Sequence, residues 1–337
     1  SGSIGWVGLI IPHISRMLVG ANHQRLLPCT MLVGAIYMLW VDNAARALTD
    51  NEIPISILTA LIGAPLFGIL VYRLKRKRCV TDLIKVNDLA FAYEKNNLLF
   101  QHLNFALQAG EILAILGQNG CGKSTLLDLL LGIHRPLQGN IQLNDSIGFV
   151  PQFFSAPFAY SVLDIVLMGR SNHIATFSKP KPQDIEVALQ ALADLQLQHL
   201  AEQDFASLSG GQRQLILIAR AIASECRLML LDEPTSALDL ANQDAVLSLL
   251  RQLAKKHGLG IIFTTHQPNH AQAIANKTLL INRNFIRFGQ TDEILTSENL
   301  TALFHLPMIV EQSQYQQQPF SHFVPVYEVL LEGKRDE

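Results

Sequence analysis

Apolar positions crowd the beginning of the chain, then give way to short apolar runs separated by polar stretches. Residues 53–72, IPISILTALIGAPLFGILVY, carry no charge, and at 1.5 Å per residue such a run matches the roughly 30 Å core of a bilayer. The pattern predicts a membrane-spanning helix. Gly63, Ala64 and Pro65 interrupt its middle; small residues let a neighbouring helix approach closely, and packing re-satisfies the backbone around the proline. Residues 27–48 predict another span, with Asp42 and Arg46 in its far end at an i, i+4 spacing that lets them pair on one helix face. A buried helix of a soluble protein is the alternative there.

The flanking charges orient these segments. TDNE, between the two, is acidic, whereas Arg16 and Arg25 lie on one outer side and Arg73, Lys75, Arg76, Lys77 and Arg78 on the other. Basic residues gather on the cytoplasmic side, so both outer flanks are expected there. The run RLKRKR then reads as a stop at the inner face, each basic residue gaining about 1 kcal/mol from anionic lipid. A nucleic-acid arm competes with that reading, but no aromatic or glycine-rich segment accompanies the run. The adjoining linker, CVTDL, reaches only about 17 Å when extended, which keeps the next domain near the membrane face.

After Cys79 the pattern changes. Apolar runs such as EILAILG, SIGFVPQ, LMLLDEP and GIIFTTH alternate with helical stretches, which predicts an α/β domain with a mostly parallel sheet. Composition sharpens this division: mean hydropathy is +0.23, high for a soluble protein, and it is concentrated before residue 73. With 26 Lys and Arg against 28 Asp and Glu, nothing in the overall charge calls for a polyanion, and no nucleic-acid partner is expected. Cys29, Cys79, Cys121 and Cys226 show no CxxC spacing and are expected to be reduced, unpaired thiols. The chain starts at Ser1 with no signal-peptide pattern, as a fragment could.

Candidate chemistry begins at Gly117. GQNGCGKST, residues 117–125, follows the strand EILAIL and opens the helical run TLLDLLLG, the context of a phosphate-binding loop. Its glycines let backbone N–H groups converge on phosphate oxygens, Lys123 reaches the β- and γ-phosphates and the Ser124 hydroxyl ligates Mg²⁺. The helix N-terminus adds its positive dipole end. Downstream, LMLLDEP ends an apolar strand in Asp232, suited to Mg²⁺, with Glu233 beside it as the natural general base for an attacking water.

At LSGGQ, residues 208–212, the chain resembles the ATPases of ABC transporters, whose signature motif sits between the phosphate loop and the acidic strand end in the same order. The resemblance covers residues 79–337 and implies an ABC-type P-loop core with a helical subdomain at about 153–212. It implies that ATP is held by Gly117, Asn119, Gly120, Cys121, Gly122, Lys123, Ser124 and Thr125, with Tyr93 stacked on adenine. Gln152, in GFVPQ, would sense Mg²⁺ and the membrane partner. Ser124, Gln152 and Asp232 would be the Mg²⁺ ligands, and Glu233, Gln152 and the switch residue His266 the catalytic set. Ser209, Gly210, Gly211 and Gln212 open another helix, a second anion site, which in the family completes the pocket of an opposite subunit. Asp239 of SALD lies at that dimer contact, so a second copy is implied.

Residues 1–28 resemble the coupling-helix region of importer permeases that move iron siderophores, haem, cobalamin and, in some members, molybdate or tungstate; GLIIPHISR followed by NHQRLLP carries the likeness. An amphipathic interfacial helix is the alternative for IIPHISR. The resemblance implies an all-α membrane fragment, residues 1–78, with a coupling region at 5–26 and spans at 27–48 and 53–72, where such permeases have about ten spans. The surface receiving a coupling helix would include FAYSVLDIVLMGR, residues 158–170. Together these imply the ATP-hydrolysing subunit of an importer of a metal chelate or oxyanion, at the inner membrane with its ATPase in the cytoplasm, working with permease subunits and a periplasmic substrate-binding protein. Two alternatives stay open: a membrane-anchored regulatory or transport-inactive ATPase left by a truncated fusion, and a non-transport ATPase of the same superfamily.

Overall fold

The computed structural model describes residues 23–47, 82–94, 97–155, 157–175, 178–282, 285–315 and 317–327. The chain divides into two compact units, Ser1–Val80 and Thr81–Glu337. In the first, the described residues form one helix, α1 (His23–Ala47). Leu32, Ile36, Leu39 and Trp40 stand exposed along it. The segment expected to span at 27–48 is found as this helix, and among the described residues no helix is long and apolar enough to cross a membrane. Arg25 and Asp42 bracket an uncharged run of only about 24 Å at 1.5 Å per residue, short of the roughly 30 Å of a bilayer core. The span expected at 53–72, residues 5–22 of the coupling region, TDNE, RLKRKR and Cys79 lie outside the described residues. Cys29, Cys121 and Cys226 are free thiols.

The second unit is built on a six-stranded sheet ordered β5 (Ile147–Val150), β6 (Leu228–Leu231), β7 (Gly260–Thr265), β3 (Ile112–Leu116), β8 (Lys277–Asn282), β9 (Phe285–Gln290). Neighbours are parallel except β9, which returns antiparallel to β8. The sequence of β3, ILAIL, is buried throughout because both faces of the sheet are covered. Its alternation divides the interior: Leu113 and Ile115 join one core, Ile112, Ala114 and Leu116 the other.

The core with Leu113 lies under a three-stranded antiparallel sheet ordered β2 (Leu98–Gln108), β1 (Asp82–Ala92), β4 (Gln138–Leu143), with Phe100, Leu103 and Phe105 supplying its bulk and α2 (Lys123–Leu130) its apolar face. The opposite core is covered by α3 (Val162–Leu167), α4 (Pro182–Asp194), α5 (Gly210–Ala223) and α6 (Leu240–His257). Ser161 opens α3 with a capping box, its hydroxyl accepting from Asp164 N while the Asp164 carboxylate accepts from Ser161 N. The helices are tied together by buried Arg170, which contacts Asp184 on α4 at 3.3 Å and Glu225 beyond α5 at 2.7 Å, and donates to the Ala223 carbonyl.

Beyond β7 the chain adds α7 (Pro268–Ile274), α8 (Thr291–Ile294), α9 (Ser297–Phe304) and the hairpin of β10 (Met308–Tyr315) and β11 (Gln318–Pro325). Asn269 fastens the hairpin to α7 in both directions, donating to Phe323 O at 3.1 Å and accepting from Phe323 N at 2.8 Å.

Close approach of two backbones sets the seat of the helical layer. A Cβ at Gly169 would stand 2.1 Å from the Arg220 carbonyl oxygen of α5. Gly169→Ala is therefore expected to lower unfolding free energy by about 1–3 kcal/mol through overpacking, read from the urea midpoint.

Candidate functional site

The loop between β3 and α2 turns on two left-handed glycines, Gly120 at φ 78° and Gly122 at φ 105°. Gly122 is also pressed against the antiparallel sheet, where a Cβ would lie 2.8 Å from Leu99 and Phe100 side-chain carbons. Gly117 is held as closely by the Ile281 carbonyl oxygen of β8, which a Cβ would meet at 2.5 Å. Cys121 fills the space below; burial pushes its thiol up despite the Lys123 charge, so it stays a neutral, packed group.

Lys123 begins α2 and is buried, 6% exposed. Its Nζ donates to Gly117 O at 2.9 Å and Gln118 O at 3.3 Å, and lies 3.3 Å from Glu233 Oε1. The ammonium is thereby aimed across the mouth of the loop. Glu233 lies just past β6 with φ 43°, a left-handed conformation that costs a non-glycine residue energy and is concentrated at functional sites. Gln152 Nε2 donates to Glu233 Oε2 at 3.2 Å, and His266 Nδ1 lies 3.5 Å from the same oxygen. Asp232 is joined to its neighbour through β7: Thr264 Oγ1 donates to Asp232 Oδ1 at 2.6 Å and accepts from Glu233 N at 2.8 Å.

These groups surround a cavity of 450 Å³ lined by Tyr93, Leu99, Asn119, Gly120, Gly122, Lys123, Ser124, Thr125, Gln152 and Glu233. Most of the phosphate-loop set expected from the sequence thus comes together with the expected ring and the expected base. Tyr93 is 65% exposed at the cavity's edge, its hydroxyl 3.0 Å from Thr125 Oγ1 and its ring edge-on to Phe91 and His134. His266 lines a neighbouring cavity of 590 Å³ with Gln118, Asn119 and residues of the β10–β11 hairpin.

The signature residues are placed differently. Ser209 and Gln212 form a capping box that opens α5, Ser209 N donating to Gln212 Oε1 at 3.1 Å and Gln212 N to Ser209 Oγ at 3.3 Å. Asp239 caps α6 by accepting from Asn242 N at 2.8 Å, and Asn242 packs so closely that a Cβ on Gly211 would meet its Oδ1 at 2.6 Å. None of Ser209, Gly210, Gly211, Gln212 and Asp239 lines the 450 Å³ cavity.

Sequence reasoning missed Thr264 and the Thr235–His270 contact. Thr264 is fully buried within an apolar strand, and a polar residue there is the signal that could have found it. Behind it, His270 Nδ1 is 3.1 Å from Thr235 Oγ1, and burial holds the imidazole pKa below its ordinary value of 6.5.

Comparison with known proteins places this geometry among relatives. Residues 100–236 match the ABC transporter family and residues 1–73 the FecCD transport family. The molybdate import ATP-binding protein MolC of Haemophilus influenzae is 69% identical over 248 residues, 74% of this chain and 98% of that protein. The molybdate import system permease protein MolB of the same organism is 87% identical over 76 residues, 23% of this chain and 23% of that permease. Among solved structures, a transporter assigned to the metal-chelate ABC type, in an inward-facing conformation, superposes with a TM-score of 0.72 at 67% identity, over 74% of this chain and 100% of that one.

Two outcomes test this geometry. Thr264→Val leaves the Glu233 N–H buried and unpaired, so unfolding free energy should fall by about 1–3 kcal/mol in urea denaturation. For His270, the unfolded chain binds a proton near the ordinary value of 6.5 and the folded chain only lower, so its contribution to stability is present above 6.5 and is lost as pH falls through the folded value. His270→Asn should flatten that part of a stability-versus-pH profile measured by denaturation.

Proposed function

Because this chain belongs to the ABC transporter family of ATP-binding proteins, we propose that the cavity between Lys123 and Glu233 is where it hydrolyses ATP. The chain is an ABC importer ATPase that works with a membrane permease. The observation that carries the assignment of the site is the convergence of Lys123, Gln152 and Glu233 on one cavity beside Tyr93.

In this reading Tyr93 supports the adenine, and the loop N–H groups around Gly120 and Gly122 take the phosphates at the positive end of α2. Lys123 is shared between Glu233 and the loop carbonyls; an arriving γ-phosphate competes for that ammonium and leaves Glu233 free to accept a proton from water. Gln152 and His266 both reach Glu233 Oε2 and so orient the carboxylate. The Ser124 hydroxyl, Asp232 carboxylate and Gln152 amide are oxygen donors that would suit Mg²⁺, a hard cation that binds through one or two carboxylates and other oxygens while water and substrate phosphates fill its remaining positions. When bound, Mg²⁺ neutralises charge on the β- and γ-phosphates.

The chain supplies a phosphate loop on one surface and the α5 N-terminus elsewhere, which supports a pocket completed by the Ser209–Gln212 turn and Asp239 of a second copy. Likeness to molybdate import proteins on both sides of the Val80 boundary supports molybdate or a related oxyanion or metal chelate as cargo. The chain spans 23% of that permease, so the translocation path is proposed to come from permease subunits. We place the ATPase on the cytoplasmic side of the inner membrane, with a periplasmic binding protein delivering cargo. A transport-inactive anchor finds no support in this likeness to importers.

The test is Glu233→Gln. ATP hydrolysis should fall by about 10²- to 10⁴-fold with ATP binding retained, as measured by phosphate release and nucleotide titration. Hydrolysis at the parent rate would remove Glu233 as the base.

A further inference from the structure

A third, smaller cavity lies beneath the carboxylate of Glu233. It has a volume of 180 Å³ and is lined by the Gln152 turn, the first turns of α5 and the segment 233–238. Gln214 of α5 lines it and is 9% exposed, and its amide Nε2 is buried with no hydrogen-bond partner. Buried amides are nearly always partnered, directly or through water, so this one points to a ligand.

The other walls supply acceptors. Gln152 Nε2 donates to Glu233 Oε2 at 3.2 Å and to Ser236 Oγ at 3.4 Å, leaving Oε1 as its accepting atom. Ser236 Oγ donates in turn to Glu233 O at 3.1 Å. Phe154, Phe205 and Leu217 close the apolar side. The volume accommodates a few waters at roughly 30 Å³ each, and a buried water needs two to four polar partners, which Gln214, Gln152 and Ser236 provide.

We propose that this cavity is a hydrated joint and that Gln214 is a positioning residue: its amide donates through ordered water to Gln152, which holds Glu233. The signature helix is thereby connected to the catalytic carboxylate within one subunit, independently of the contact its N-terminus makes across a dimer. This rests on the reading of Glu233 as the base.

The experiment uses the full chain and Gln214→Met, which keeps length and removes the amide. Turnover should fall about tenfold, the worth in rate of one lost hydrogen bond, with KM for ATP unchanged. The thermal midpoint should change little, because methionine fills nearly the same volume and brings no polar group that needs a partner. In a Gln152→Ala background the same substitution should add nothing, since the partner is already gone. Parent-rate turnover by Gln214→Met, or two losses that simply multiply in the double variant, would overturn the proposal. Should the methionine variant fail to fold, Gln214→Leu, which lacks the N–H donors and adds no charge to the buried site, carries the same expectation for turnover. Failure of the base reading shows separately, as undiminished hydrolysis in Glu233→Gln.

Discussion

Adjacency of β3, β7 and β6 is the constraint on which the rest depends. Parallel pairing aligns Leu116 with Thr265, and Leu231 with Phe263, so the three strands end side by side. The residues just past each strand are therefore delivered to one place: the glycine loop after β3, Asp232 and Glu233 after β6, His266 after β7. Ligands of open α/β sheets bind at such carboxyl ends. Here the effect reaches hydrogen-bond detail, because Thr264, one residue short of the end of β7, joins Asp232 to the Glu233 backbone.

The charges at this edge compensate one another. Lys123 and Glu233 are both largely withdrawn from solvent, and a buried ion without a partner is far costlier than a buried pair. Each loop carbonyl that accepts from Lys123 further reduces that cost. The pair also stores specificity, since an anionic ligand with several oxygens can replace the carboxylate at the ammonium, whereas a neutral one would leave the lysine unpaired.

The glycine loop was legible because its chemistry is local: residues 117–125 lie between a strand and a helix, and the backbone there must be bare. Glu233 was legible as the second carboxylate at the end of an apolar strand, Gln152 from resemblance, and the sheet from the all-apolar run ILAIL. The antiparallel sheet of β1, β2 and β4 was not anticipated, since pairings such as Ile84 with Leu143 join distant segments whose alternation is broken by register shifts. Thr264 and Gln214 escaped for another reason. Each matters through a neighbour brought by tertiary packing, and nothing beside either in the chain names that neighbour.

The alternation of β3 separates two interiors, one packed with the antiparallel sheet and the glycine loop's helix, the other with the helical layer. The sheet therefore acts as a partition for volume: a change of side-chain size in the helical core has to be absorbed among the helices, because β3 presents only Ile112, Ala114 and Leu116 to that side. The packing under the glycine loop is insulated from it, and the two halves can be repacked independently of one another.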